Sequence, residues 1–271
     1  MDYSVLMSVY AKEIPAHLES AIESILSQTV PASQFVVVCD GPLTPALDEV
    51  ISRYKDRLDV LRLPKNIGLA LALNKGLAHC RHELVARMDS DDISLSDRCA
   101  KQLAAFEQDS ELVMLSGVVE EFCEDPEQPH ARRVVPLTHE EILRYSKRRS
   151  PFNHVAVMFK RSVVLRLGGY DGAFTLYEDY DLWFRVLQSG AKTANLPDTL
   201  VKVRAPADQI KRRGGLHYGK QVFRFRKKMY KAGWTSRREF IFSAYPHLII
   251  CIMPNFVRVF IYKLLRREPK S

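Results

Sequence analysis

The stretch ELVARMDSDDI, residues Glu83 to Ile93, decides how this chain is read. A largely apolar run, Leu84 to Met88, passes straight into Asp89, Ser90, Asp91 and Asp92. A short run of this kind suits a strand buried on both faces. Three carboxylates within four residues repel one another, so their position at a strand tip needs a reason. Ser94 or Asp92 as the N-cap of a helix running on from Leu95 explains one acid and leaves the others unexplained. A hard divalent cation, Mg²⁺ or Mn²⁺, held through oxygen and shared with a phosphate-bearing substrate, explains all three.

The sequence before this stretch alternates strands and helices. Ser4–Ser8 reads as a strand, and Pro15–Gln28 as a helix with Leu18, Ile22, Ile25 and Leu26 on one face. Phe35–Cys39 is a second buried strand, closed by the turn Asp40-Gly41-Pro42. A helix over Leu47–Tyr54, a strand over Asp59–Leu63 and a helix over Leu69–Cys80 lead to the fourth strand at Leu84. This order predicts an α/β fold with a mainly parallel sheet flanked by helices. Ligands in such sheets bind beyond the carboxyl ends of the strands. Four polar sites fall at those ends: Ser8-Val9-Tyr10, Asp40-Gly41, Asn66 to Gly68, and Asp89-Ser90-Asp91. They are expected to line one crevice. No GxxxxGK[ST] motif is present, which argues against a P-loop NTPase. The first strand-to-helix turn, Ser8 to Ile14, has no glycine, so the fingerprint for NAD or FAD is missing.

Charge is unevenly distributed. Residues 201–271 hold 18 of the 40 Lys+Arg and 3 of the 32 Asp+Glu, a balance of +15, which leaves 22 minus 29, or −7, for residues 1–200. Residues 1–205 are expected to form the functional body, with a nucleotide half over about 1–110 and an acceptor half over about 111–205. Residues 206–271 then form a basic tail. The five cysteines show no metal-ligand spacing and read as reduced thiols in the cytoplasm. No signal peptide is visible in the sequence given.

LMSVY at 6–10, VVVCDGP at 36–42, KNIGLALALNKGL at 65–77, ARMDSDD at 86–92 and LYEDYDLWFR at 176–185 occur in an order and spacing that resemble the family 2 glycosyltransferases. These are inverting enzymes of the GT-A, Rossmann-like nucleotide-diphospho-sugar transferase fold. The resemblance spans about residues 3–205, and its specificity lies in five motifs agreeing in order. It implies that Ser8, Val9 and Tyr10 pack around the nucleotide and that Glu13 lies near the ribose. Asp40 would hydrogen-bond the uracil ring, and Asn66 and Gly68 would form a turn against the nucleotide. Asp89 and Asp91, flanking Ser90, resemble a DxD pair, with Asp91 as the direct ligand to Mn²⁺ or Mg²⁺ and Asp92 in support. Asp179, beside Glu178, resembles the general base. Arg87 either meets the diphosphate or pairs with a neighbouring acid.

The chemistry suits these residue types. A cation offsets charge on a departing nucleoside diphosphate. A carboxylate takes the proton of the attacking hydroxyl. One displacement inverts the anomeric centre, so an α-linked donor gives a β-linkage. The Glu178–Asp181 acids also fit a plain helix start. His154 reads equally as a core histidine or an acceptor-side group. Val113–Phe122 is expected as an edge strand. Arg204 to Tyr218, with Gly214 and Gly215 beside basic residues, is either a closing loop or a linker.

Residues 240–257 lack charge but contain two prolines, and 255–267 place apolar and basic residues on opposite faces. With Lys220 to Lys231, this reads as an amphipathic tail on an anionic membrane surface rather than on nucleic acid. Packing of that helix on the enzyme body remains the alternative. The expected function is transfer of a hexose or N-acetylhexosamine from a UDP-sugar to a lipid-diphosphate-linked saccharide at the inner face of the cytoplasmic membrane, in cell-surface polysaccharide assembly. The alternatives are a non-catalytic membrane-associated assembly factor and another metal-dependent nucleotide-sugar enzyme on the same fold.

Overall fold

The computed structural model describes residues 1–174, 176–205 and 215–253. One compact unit covers Met1–Arg204, and a second begins at Ala205. The helix expected over 255–267 and most of the basic loop expected over 204–218 lie outside the described residues.

In the first unit, four parallel strands are laid down in the predicted alternation. They are β1 (Tyr3–Val9), β2 (Gln34–Cys39), β3 (Asp59–Arg62) and β4 (Leu84–Asp89), in spatial order β3-β2-β1-β4. The intervening helices are α1 (Pro15–Leu26), α2 (Pro45–Arg53) and α3 (Leu69–His79). Pro15 and Pro45 each open their helix, where the missing N–H costs nothing. Thr44 caps α2 by accepting from Leu47 N.

Strand periodicity then sorts the core. Val5, Met7 and Val9 join the main cluster with Leu18, Ile22 and Ile25 of α1. Leu6 and Val38 point to the other face, where a Cβ on Gly76 of α3 would collide with both. Both faces of the sheet are therefore covered, which is why β1 and β2 are buried almost throughout.

The remaining strands extend the sheet beyond β4. They are β5 (Ile93–Ser94), β6 (Leu112–Phe122), β7 (Ala131–Arg133), β8 (Met158–Lys160) and β9 (Lys192–Arg204). The full order is β3-β2-β1-β4-β8-β6-β9-β5, with β7 paired to β6. Helix α4 (Arg98–Gln108) leads into β6, α5 (His139–Tyr145) and α6 (Arg161–Arg166) follow, and α7 (Glu178–Gln188) precedes β9. The 112–122 segment is not the edge strand expected from sequence. It lies inside the sheet between antiparallel β8 and parallel β9. Nine of its eleven residues are buried, and its acid Glu121 is buried in an ion pair with Arg133 of β7 at 3.2 Å.

One side chain, Asn74, fastens the second half of this unit to the first, and another, Arg185, braces the loop it grips. Asn74 of α3 donates to Tyr170 O at 2.8 Å and accepts from Tyr170 N at 2.7 Å. Gly169, at φ +65°, leaves room for this clamp, because a Cβ there would run into the Asn74 amide. Arg185 of α7 donates to Leu167 O and Gly169 O, both at 2.6 Å, and to buried Asp181 at 2.8 Å. The loop before Tyr170 is thus held from two helices.

Asn74→Ala leaves the Tyr170 backbone N–H and C=O unpaired in a part-buried setting, and an expected loss of about 1–3 kcal/mol follows. Urea denaturation checks this. A loss below about 0.5 kcal/mol would mean that water replaces the clamp.

Candidate active site

The parallel register brings the strand ends to one edge. Ser8 of β1 lies opposite Asp89 of β4, and Val9 lies opposite Cys39 of β2. Asp40 N donates to Val9 O at 2.8 Å, which ties the first two strand ends together. The Asp40 carboxylate accepts from Ile67 N at 2.7 Å and Gly68 N at 3.0 Å. Asn66 donates back to Asp40 O at 3.2 Å. Gly41, at φ +89°, makes the approach possible: a Cβ would sit 2.6 Å from Asn66 N. The third polar site is therefore fastened to the second by hydrogen bonds between side chains and backbone. Buried Asp40 closes the 66–68 turn, and each of its oxygens keeps a further lone pair.

Glu13 joins the first site to the fourth. Its Oε1 accepts from Ile14 N and its Oε2 from Ser90 Oγ, both at 2.8 Å. Tyr10 is exposed at the rim, whereas Val9 is fully buried beneath it. The four strand-end sites predicted to share a crevice thus stand along one connected edge.

Asp89, Asp91 and Asp92 present carboxylate oxygens within 4.8 Å of one another. Their environment disfavours three free charges. Burial, then Asp89 and Glu13, pushes the Asp91 carboxyl up to about 7. Burial, then Asp89 and Asp91, raises Asp92 well above the carboxylate range. Asp92 does not cap α4, because Oδ1 accepts from Arg204 N of β9 at 2.7 Å. A cluster of hard oxygen donors that repel one another fits a divalent cation such as Mg²⁺ or Mn²⁺.

Two buried guanidinium groups lie behind the acids. Strand periodicity places Arg87 and Asp89 on one face of β4, and Arg87 pairs with both Asp89 oxygens, one of them at 2.6 Å. Of the two roles left open for Arg87, the geometry shows the pairing with an acid. Its Nε is buried with no hydrogen-bond partner among the described residues. Arg98, fully buried on α4, donates to Arg87 O at 2.7 Å, Gln102 Oε1 at 3.1 Å and Val157 O at 3.3 Å. Sequence reading missed Arg98. The available signal was that Arg98, Cys99, Gln102, Leu103 and Phe106 share the inward face of α4, so its two polar members had to be bonded inside the fold.

Glu178 and Asp179 open α7, where the helix dipole favours negative charge. Asp179 accepts from Tyr180 N at 2.6 Å, and burial raises its pKa against that bond and against Arg87. Burial, then Asp179, pushes Glu178 up to about 7, and its Oε2 is buried with no partner among the described residues. Tyr170 senses Arg87, Asp179, Glu178 and Asp89, so both acidic groups lie within electrostatic reach of one phenol. Tyr170 OH and His154 Nε2 are 3.0 Å apart, and both rings pack on Trp183. Burial, then Arg87, holds His154 well below its usual pKa. His154 is thus held neutral against Tyr170 and Trp183 while remaining half-buried. Asn74, Tyr170 and Arg204 were also not singled out from sequence as site supports.

Two outcomes follow. In Arg87→Met, the acidic cluster loses a compensating cation, and Mn²⁺ affinity measured by calorimetry should rise severalfold; unchanged or weaker affinity would show that Arg87 serves the site by orienting Asp89 and not by its charge. The second concerns pH. Asp91 and Glu178 titrate near 7 when folded, against about 4 when unfolded. Between those limits the folded chain binds more protons, so stability falls as pH rises through 7. Metal-free protein should therefore melt higher at about pH 7 than at about pH 8.5, above the range where buried histidines titrate. A Tm that rises over that interval would contradict the assignment, and Mn²⁺ should flatten the dependence.

A model described as "Glycosyl transferase family 2" matches residues 4–168. The UDP-Gal:α-D-GlcNAc-diphosphoundecaprenol β-1,3-galactosyltransferase of Escherichia coli is 38% identical over 268 residues, 98% of this chain and 97% of that protein. The amylovoran biosynthesis glycosyltransferase AmsE of Erwinia amylovora is 37% identical over 270 residues, covering 98% and 99%. Among solved structures, S. aureus TarS 1-349 in complex with UDP-GlcNAc aligns at TM-score 0.67 and 17% identity over 88% of this chain and 69% of TarS 1-349. The mannosyltransferase PcManGT of Pyrobaculum calidifontis, in complex with GDP-Man and Mn²⁺, aligns at 0.66 and 18% identity over 97% and 79%. Fold, strand-end acids and relatedness along nearly the whole chain agree, and the chain belongs to glycosyl transferase family 2.

Proposed function

We propose that this glycosyltransferase moves a hexose or N-acetylhexosamine from a UDP-sugar to a lipid-diphosphate-linked saccharide, with inversion to a β-linkage, in cell-surface polysaccharide assembly. The observation that carries the reading is a pair of acidic groups within electrostatic reach of each other. Asp89, Asp91 and Asp92 stand at the tip of β4, Glu178 and Asp179 stand at the head of α7, and buried Arg87 and Tyr170 feel both. The E. coli relative, named for a UDP-galactose donor and a diphosphoundecaprenol-linked acceptor, makes UDP-galactose the first donor to try.

The family resemblance suggests the residue roles, and the strand-end geometry supports them. Ser8, Val9 and Tyr10 form the floor and rim on which the uridine lies, with Glu13 beside the ribose. Asp40 fixes the 66–68 turn and uses a remaining lone pair on the base, while Asn66 and Gly68 shape the wall. Asp91 and Asp89 would hold Mn²⁺ or Mg²⁺, with Asp92 in support. Such an ion would offset charge on the departing UDP. Arg87 orients Asp89 from behind rather than touching the diphosphate. Asp179 accepts the proton of the acceptor hydroxyl as that oxygen bonds to the anomeric carbon and the bond to UDP breaks. Glu178, half-protonated near neutrality, limits the repulsion felt by Asp179. The site works at the inner face of the cytoplasmic membrane, where the basic chain beyond residue 205 meets anionic lipid.

Transfer from UDP-galactose to a synthetic GlcNAc-diphospho-lipid, followed by NMR of the product, tests this. A β-linked product is expected, and Asp179→Asn should lower kcat by about 10²–10⁴ while leaving UDP affinity near wild type. An α-linked product, or an Asp179→Asn enzyme with more than a tenth of wild-type kcat, would overturn the role given to Asp179.

A further inference from the structure

The second unit carries a surface that the transferase chemistry does not use. Over residues 215–253 the chain has eight Lys or Arg and one acid, Glu239. Two helices hold them, Leu216–Lys231 and Arg237–Ile252. Gly219 of the first sits where a Cβ would lie 2.8 Å from Leu248 of the second, so the two pack closely.

The first helix turns Gly219, Val222, Phe225 and Met229 inward. Lys220, Arg224, Lys227 and Lys231 are all exposed and recur every three or four residues, which places them in one stripe. Like charges at this spacing repel and destabilise a helix. An ordinary solvated face interleaves both signs. A stripe of one sign is therefore better suited to an anionic partner than to water alone.

The second helix exposes Ile241, Phe242, Tyr245 and Ile249, with Phe242 at 76% and Ile249 at 50% of full exposure. Ile241, Tyr245 and Ile249 lie four residues apart and share a face, with Phe242 adjoining. Large apolar side chains exposed together mark an interaction site. No helix among the described residues is long and apolar enough to cross a membrane.

We propose that this helix pair is a docking face for an anionic lipid surface, with Lys220, Arg224, Lys227 and Lys231 attracted to headgroups and Phe242 and its neighbours entering the interface. Charge complementarity selects anionic lipid, and the apolar stripe selects a bilayer over nucleic acid. The choice of occupant rests on the lipid-borne acceptor proposed above. The face adds what that reading lacks: a located surface, independent of the segment beyond residue 253.

The test is co-sedimentation of the full chain with vesicles of phosphatidylglycerol and phosphatidylcholine, against phosphatidylcholine alone. Mn²⁺-dependent UDP binding is measured on the same samples. The variant Lys220→Gln/Arg224→Gln/Lys227→Gln/Lys231→Gln should bind anionic vesicles at least tenfold more weakly, with helix content and UDP affinity unchanged. If it fails to fold, Phe242→Ser and the salt dependence of wild type carry the test. Phe242→Ser should lose severalfold affinity at high salt, where attraction to headgroups is screened.

Four results would each overturn the docking face. They are wild-type affinity in both variants, equal binding to neutral vesicles, tighter binding to an oligonucleotide than to vesicles, and self-association abolished by Phe242→Ser with vesicle affinity intact. Vesicle binding that tracks these residues in a protein that binds no UDP would support the face and count only against the transferase reading.

Discussion

Mutual repulsion among Asp89, Asp91 and Asp92, contained by cations behind them, is the constraint around which the first unit is arranged. Three carboxylates on a half-buried strand tip cannot all stay charged without compensation. The chain supplies part of it by burying Arg87 against Asp89 and Arg98 against the backbone of Arg87. Among the described residues Arg98 has no carboxylate as a hydrogen-bond partner, and its charge is stabilised by carbonyl and amide dipoles. Compensation is incomplete, as the raised Asp91 and Asp92 show. An edge built this way carries an electrostatic debt that a divalent cation settles.

The rest of the unit positions other groups against that edge. Parallel register aligns Ser8 with Asp89, Glu13 reaches Ser90, and Asp40 binds the turn from which α3 departs. Helix α3 then grips Tyr170 through Asn74, and Tyr170 meets His154 while packing on Trp183 of α7. A continuous set of hydrogen bonds and ring contacts therefore runs from Asp40 to the helix that carries Glu178 and Asp179. Catalysis by positioned acids depends on such rigidity, since a small misplacement of a base weakens it sharply.

The parallel half was legible in the sequence because its signals are local: short apolar runs, Asp40-Gly41-Pro42, and helices with one apolar face. The acidic cluster was legible for the same reason, whereas Arg87 was left between the diphosphate and a neighbouring acid until its pairing with Asp89 was seen. Beyond residue 93 the pairing is non-local. Nothing in 112–122 states that β9, some 80 residues later, will cover it, so an interior strand was read as an edge. The Asn74 clamp also joins residues 96 apart. Arg98 and Gln102 were hidden by their polarity, although their place on the inward face of α4 marks them as buried. His154 was legible only as a choice between a core and an acceptor-side group, because its partners Tyr170 and Trp183 are 16 and 29 residues away in sequence.

The two units divide the work by physical character. The first concentrates buried acids at a sheet edge, and the second spreads exposed cations and aromatic rings over a helix pair. The central claim concerns the first: the Asp cluster joins a divalent cation to a uridine diphosphate. Calorimetric titration of UDP with and without Mn²⁺, on wild type and Asp91→Asn, tests it most directly. Binding strengthened by Mn²⁺ in wild type and reduced at least tenfold in the folded variant is the predicted result. UDP binding indifferent to Mn²⁺, or undiminished in Asp91→Asn, would contradict it.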